Sequence, residues 1–228
     1  MKAQIYYIKD HKESVKQANE ALRSFYKHNW NAELRPGITA KTVEDYPEFG
    51  WNIIENSRLH DFKNENYNKY LTKMSCAINH IKFWEEVVDE DLPMAFIEHD
   101  AICTTSWDNV EFDEYLILNC EFVFKPPNKL ALKQFKDYVW PSFGLSDWPS
   151  NWPLNYYKEN KWISSAMAPG TGAYAITPAG AKKLLTNVMK YGIDQSDFMI
   201  NSHNVKMQYY IPSPIKFNNI NLSTSYGI

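Results

Sequence analysis

The stretch that decides the fold is Met74–Cys103, MSCAINHIKFWEEVVDEDLPMAFIEHDAIC. Between Ser75 and Asp89, apolar Ala77, Ile78, Ile81, Trp84, Val87 and Val88 recur at the period of a helix with one buried face. Pro93 separates that helix from Met94–Ile97, an apolar run too short for a helix and suited to a buried strand. The run stops at Glu98-His99-Asp100. Residues i and i+2 of a strand share a side, so the two carboxylates project together at its carboxyl end and His99 points away. In open α/β sheets ligands bind beyond that end. Two carboxylates there offer the hard oxygen atoms that Mg²⁺ or Mn²⁺ takes together with substrate phosphates. The plain alternative is a solvated strand end.

Outward from this stretch the chain alternates strand and helix. Ile5–Ile8 is a β-rich run, and Ser14–Tyr26 has helical spacing at Val15, Ala18, Leu22 and Phe25. A strand followed by a helix is how a nucleotide-binding α/β sheet begins. Ala32–Gly37 reads as a short strand ending in a Pro-Gly turn. Residues 38–73 are polar and Asn-rich without a clear period, and read as loops with short helices. Ile102–Asp113 reads as a polar connection and Tyr115–Cys120 as another buried strand. Residues 125–162 set Trp140, Trp148, Trp152 and Trp162 among Pro126, Pro127, Pro141, Pro149 and Pro153, which breaks up regular structure. That segment is either a mobile acceptor-binding loop or an aromatic cluster pinning a loop to the body. Gly170-Thr171-Gly172 is a turn feeding the strand-like Ala173–Ile176; Thr177 is a candidate N-cap and Pro178 opens a helix over Ala179–Met189.

Composition narrows the class. At 228 residues the chain suits one domain, 1–228, with ample length for a core. A net charge of −3 gives no polyanion footprint, so nucleic acid is not the expected partner. Aromatic residues are 15% of the chain, which suits sugar stacking and core packing alike. The odd cysteine set Cys76, Cys103 and Cys120 lacks metal-type spacing and reads as reduced buried thiols. The opening MKAQIYYIKD lacks a signal-peptide core and no apolar run has the length of a membrane span. The expectation is a cytoplasmic protein without a transmembrane segment. Asn221-Leu222-Ser223 fits a glycosylation sequon, which has no meaning in that setting.

The central stretch resembles glycosyltransferase family 25, the lipopolysaccharide-type transferases that include collagen galactosyltransferases. Its members carry a pattern close to G-C-x-x-S-H-x-x-x-W followed by L-P-x-x-x-x-x-E-D-D-A. Cys76, His80, Trp84, Leu92-Pro93, Glu98, Asp100 and Ala101 match, while Ser75, Asn79 and His99 replace the Gly, the Ser and the middle Asp. A second hallmark, G-T-x-x-Y-x-I-x-x-x-G-A-x-x-L, is matched at Gly170, Thr171, Tyr174, Ile176, Gly180, Ala181 and Leu184. Gly192-Ile193-Asp194 resembles the family's P-v-D turn with Gly in place of Pro. Tyr210-Ile211-Pro212 and Ser223-Thr224-Ser225 resemble its closing segment. The family's basic first turn is represented here by Lys9-Asp10-His11-Lys12.

The resemblance implies a GT-A-type nucleotide-diphospho-sugar transferase fold, a mixed and mostly parallel sheet flanked by helices. It implies transfer of a hexose, galactose or glucose, from a UDP-sugar to a glycan or other hydroxyl acceptor with inversion, aided by Mn²⁺ or Mg²⁺. The metal would sit on Glu98 and Asp100, with His203 a candidate third ligand from the C-terminal region. The donor would meet Ile8, Lys9, Asn79, His80, Glu98, Gly170, Thr171, Gly172 and Tyr174. The catalytic base would be Asp194, at the P-v-D position, or Asp197; the competing role for the pair is helix capping, Asp194 as N-cap and Asp197 at N3. Two other readings stand beside this one. A metal-dependent hydrolase would release free sugar without an acceptor, and an inactive nucleotide- or carbohydrate-binding module would bind UDP without turnover.

Overall fold

Period-two patterning at the start of the chain forms β1 (Lys2–Tyr7), and the amphipathic run after it forms α1 (Lys12–Lys27). The His11 side chain caps α1 by accepting from the Ser14 N–H. The computed structural model describes residues 1–107, 110–123, 142–149, 166–168 and 170–218. Within them the chain continues through β2 (Asn31–Pro36), α2 (Arg58–Glu65), α3 (Tyr67–Glu90), β3 (Met94–Glu98) and β4 (Ala101–Cys103). It then forms β5 (Tyr115–Ile117), α4 (Cys120–Val123), β6 (Gly144–Asp147), β7 (Ala173–Ile176) and α5 (Pro178–Tyr191). Last come α6 (Ser196–Met199), β8 (Met207–Ile211) and β9 (Ile215–Phe217).

A seven-stranded sheet has the order β2-β1-β3-β7-β5-β8-β6, and β4 pairs with β9 in a separate two-stranded sheet. β1 lies parallel to β2 and β3, and β5 parallel to β8, whereas β7 is antiparallel to both β3 and β5 and β6 is antiparallel to β8. So β2, β1, β3, β5 and β8 run one way, and β7 and β6 run the other. This mixed α/β architecture is the expected one. Its consequence for function is geometric. The carboxyl ends of β1, β3 and β5 and the amino end of β7 all meet along one edge.

Alternation along β3 assigns its side chains to two cores. Met94 and Phe96 pack with Tyr174, Ile176 and the α3 residues Met74, Ile78, Ile81, Phe83 and Trp84. Ala95 and Ile97 pack on the opposite face with Ala3, Ile5, Leu116 and the α1 residues Ala18, Ala21 and Phe25. Continuing the alternation carries Glu98 onto the α3 face. Full burial of large side chains such as Trp84 and Phe83 stabilises this layer by roughly 1.5–3 kcal/mol each.

Several boundaries differ from the sequence reading. α3 begins at Tyr67 instead of Ser75, while the short α2 before it fits the loops with short helices expected there. Both helices are started by polar side chains: Ser57 accepts from the His60 N–H and Asn66 from the Lys69 N–H. The apolar period is faint there because only Leu59 and Phe62 of α2 are buried. β4 interrupts the expected polar connection after Asp100. β5 ends at Ile117, and Cys120 opens α4 instead of closing the strand. Trp148 is buried in the α3-side core, so part of the Trp/Pro-rich segment packs on the body. Trp140, Trp152 and Trp162, read as part of a mobile acceptor-binding loop or a pinning cluster, lie outside the described residues, as do Asn221 and Ser223-Thr224-Ser225.

Candidate active site

Glu98 is the last residue of β3, opposite Tyr6 of β1, and its N–H donates to Gly172 O at 2.7 Å. The side chain reaches solvent, yet protein encloses it so closely that burial is the main force on its carboxyl. Together these describe the floor of a cleft. Burial first, then the Asp100 and Asp197 carboxylates, push Glu98 up to about 8, against the pull of Lys73. Burial also pushes Asp100 up to about 6. Asp197 is raised by burial, opposed by Lys73 and by hydrogen bonds from the Thr171 side chain and backbone.

The predicted turn at the start of β7 is what makes this crowding possible. A Cβ on Gly172 would sit 2.8 Å from Glu98 Oε2 and 2.7 Å from Phe217 Cζ, so any side chain there would displace the ends of both. Thr171 is buried and its hydroxyl lies 3.1 Å from Ser196 Oγ, which fixes the start of α6 and with it Asp197. Gly170 takes φ 80°, a left-handed conformation that favours glycine. Ile8 and Lys9 share this edge: the Ile8 N–H donates to Ser14 Oγ at 2.8 Å, and Lys9 is exposed beside the end of β1. His99 turns to the other side, where burial and then His11 push it down to about 4.

Three of the expected donor contacts are instead built into the fold. His80 is buried, stacks on Phe96 at 4.1 Å between centroids, and lies 2.8 Å from the Tyr174 hydroxyl through Nδ1. Burial pushes it down to about 3, so it is neutral. The Tyr174 hydroxyl also accepts from Trp84 Nε1 at 3.0 Å, and Tyr174 has no exposed surface. Asn79 uses Oδ1 to accept from the Ile38 N–H and Nδ2 to donate to the Ile38 and Ser75 carbonyls. It clasps the segment after β2 to α3. All three belong to matched or replaced motif positions whose work here is packing.

The two candidate bases separate. Asp194 Oδ1 accepts from the Gln195 N–H at 2.7 Å and the Leu59 N–H at 3.4 Å, next to a bridge between Ile53 and Ile193. Gly192, at φ 103°, ends α5 and lets this turn dock on residues 52–59. Asp194 therefore caps the start of α2 across the fold, rather than α6, whose N-cap is Gln195 with no side-chain bond. The charges acting on Glu98 are Asp100, Asp197 and Lys73, so Asp197 is the base candidate that reaches the cleft. Lys73 was not expected. It falls between Tyr70 and Ala77 on the buried stripe of α3, a cation at an apolar position.

Asp194 also supplies a test of its structural role. Burial pushes its carboxyl up to about 6, above the ordinary carboxylate value. Stability from a raised carboxyl is full below about pH 4 and is lost as pH rises through about 6. Asp194→Asn keeps the accepting oxygen but does not titrate. Relative to wild type it is expected to gain stability between pH 4 and 7.5, by at most about 3 kcal/mol. Melting temperatures across that range check it, and a variant that loses ground as pH rises would refute the assignment.

The site fits a divalent cation on its own chemistry. Among the described residues Asp100 Oδ1 and Asp197 Oδ1 are both buried and without a hydrogen-bond partner, and both carboxylates act on Glu98. Among the described residues no group of three His, Cys, Asp or Glu forms a ligand set, so His203 does not join Glu98 and Asp100 in one. His203 is exposed, its N–H bonded to Asn201 Oδ1 at 3.0 Å. A cation here would take two carboxylates and fill its shell from substrate and water, as Mg²⁺ commonly does.

The model of glycosyltransferase family 25, described as a lipopolysaccharide biosynthesis protein, matches residues 4–200. The chain belongs to glycosyltransferase family 25. The match spans every element of the cleft from β1 to α6. Among solved structures, the galactosyltransferase LgtC in complex with donor and acceptor sugar analogues is 13% identical with a TM-score of 0.47, covering 100% of this chain and 92% of that one. A glycosyltransferase involved in glycosylation of the major capsid of PBCV-1 is 9% identical with a TM-score of 0.32, covering 82% and 66%. No curated protein sequence matches. As a family 25 glycosyltransferase the protein moves sugar from a donor to an acceptor. Among the described residues no helix is long and apolar enough to cross a membrane.

Proposed function

We propose that this family 25 enzyme transfers a hexose, galactose or glucose, from a UDP-sugar to a hydroxyl of a glycan or similar acceptor, with inversion, in the cytoplasm. The observation that carries the reading is that the Asp100 and Asp197 carboxylates both act on Glu98, at the edge where β1, β3, β5 and β7 meet. Glu98 and Asp100 hold Mn²⁺ or Mg²⁺, which when bound supplies Lewis-acid neutralisation of the departing diphosphate. Gly172, without a side chain, leaves the Glu98 carboxylate its place at the end of β3, beside Phe217.

Asp197 is the base. The acceptor oxygen attacks the anomeric carbon, the bond from that carbon to the phosphate oxygen breaks, and UDP departs with the bonding pair. The acceptor proton goes to Asp197 Oδ1, which has no hydrogen-bond partner among the described residues. Thr171 fixes the carboxylate, and Lys73 favours its ionised form. Inversion needs no covalent intermediate on the enzyme.

A donor screen that reads nucleotide release, with and without Mn²⁺ and with a glycan acceptor panel, tests the reading. The expected result is acceptor-dependent release from a UDP-hexose that chelator abolishes. Sugar release indifferent to acceptor would instead identify a hydrolase. UDP binding with no turnover on any donor would leave a binding module.

A further inference from the structure

Asn119 follows β5 and is 2% exposed, yet among the described residues neither its Oδ1 nor its Nδ2 has a hydrogen-bond partner. An Asn at the start of a helix ordinarily caps it. Here only the Asn119 carbonyl serves α4, accepting from the Val123 N–H at 3.2 Å. The surrounding backbone is fixed without the amide: Ser213 Oγ accepts from the Cys120 N–H at 3.3 Å and donates to Leu118 O. A buried amide left unmatched costs folding free energy that an apolar residue would not. Such a group calls for a role or a partner that the fold's own hydrogen bonds do not supply.

Its place in the sheet says which ligand. The Leu118 N–H still donates to Ala173 O at 3.1 Å, which continues the β5–β7 register and sets Asn119 opposite Gly172. Glu98 lies opposite Gly172 on the other side, through its own bond to Gly172 O. Alternation puts Asn119 on the face of Tyr115 and Ile117, which is also the face of Tyr174 and Glu98. Glu98, Gly172 and Asn119 thus form a row along the sheet edge, and its middle member has no side chain. The outer two are about two strand spacings, roughly 10 Å, apart. A diphosphate held at Glu98 would place its hexose toward Asn119 across Gly172, over which the ends of the Glu98 and Phe217 side chains lie. An amide presents one acceptor and two donor hydrogens on adjacent atoms, the complement of a neighbouring hydroxyl pair on a pyranose ring.

We infer that Asn119 is a specificity-determining residue that hydrogen-bonds the hexose of the nucleotide-sugar donor. The inference rests on the donor reading proposed above. The probes are UDP, UDP-galactose and UDP-glucose, titrated with Mn²⁺ into wild type, Asn119→Ala and the near-isosteric Asn119→Leu. Wild type is expected to bind one UDP-hexose more tightly than UDP. Both variants are expected to bind UDP as wild type does but to lose that preference, by roughly tenfold. Because the amide has no partner among the described residues, both variants should melt at or above the wild-type temperature. A preference for UDP-hexose that survives in both variants overturns the inference and leaves the donor reading intact. A large drop in melting temperature with the preference kept makes Asn119 structural. No binding of any UDP species by wild type overturns the donor reading and the inference together.

Discussion

Asp100→Asn is expected to abolish Mn²⁺-dependent UDP binding while leaving the fold intact. Asp100 carries a buried oxygen without a hydrogen-bond partner among the described residues, and its charge acts on the Glu98 carboxyl. Burial raises its carboxyl to about 6, so at neutral pH the folded protein carries an ionised group in an environment that disfavours it. Stability from such a group is present at acid pH and lost as pH rises through about 6. The neutral variant is therefore expected to melt at or above the wild-type temperature at pH 7.5. A cation that uses only two protein carboxylates has no substitute for one of them, and an amide oxygen carries no charge to offset it. Affinity for UDP with Mn²⁺ is expected to fall at least about a hundredfold, beyond the range seen for residues behind metal ligands. Calorimetry with Mn²⁺ and with excess chelator checks this. Equal UDP affinity in the variant, or wild-type turnover in excess chelator, would remove the metal from the mechanism.

The cleft was legible in the sequence where local pattern and chemistry coincided. Met94–Ile97 followed by Glu98 and Asp100 predicts a buried strand carrying carboxylates off its end, and β3 has that form. Thr177 and Pro178 likewise predict the start of α5, where Thr177 Oγ1 accepts from the Gly180 N–H. What stayed hidden depended on contacts between distant segments. Asp194 reads as a local cap, but its carboxylate reaches Leu59, 135 residues away in the chain. His80 and Tyr174 are 94 residues apart and meet only because α3 crosses β7. Their motif positions therefore look like ligand contacts until packing shows both rings enclosed. Lys73 and Asn119 were visible as a cation on an apolar helix stripe and a polar end to an apolar strand. Neither signal says what the side chain faces, because that depends on which strands lie beside it.

Asp197→Asn is expected to lower turnover at least about a hundredfold, the usual scale for removing a general base, with UDP affinity near that of wild type. The amide keeps an oxygen for the Thr171 hydroxyl and N–H, so the start of α6 should hold its place. What it loses is the capacity to take the acceptor proton. Asp194→Asn is the matched control. It carries the same chemical change three positions earlier, on a carboxylate occupied by the Leu59 and Gln195 N–H groups. Turnover near wild type is expected there. Lys73 sharpens the test, because its charge lowers the Asp197 pKa against burial. Lys73→Met is expected to raise that pKa, so the acid limb of the kcat profile should move to higher pH while activity at alkaline pH recovers. A Lys73 that only supported the fold would lower activity at every pH alike. A loss of Mn²⁺-dependent UDP binding in Asp197→Asn would make Asp197 a metal ligand instead. Normal turnover in Asp197→Asn with a large loss in Asp194→Asn would return the base to Asp194, and the cap at α2 would then be its second role.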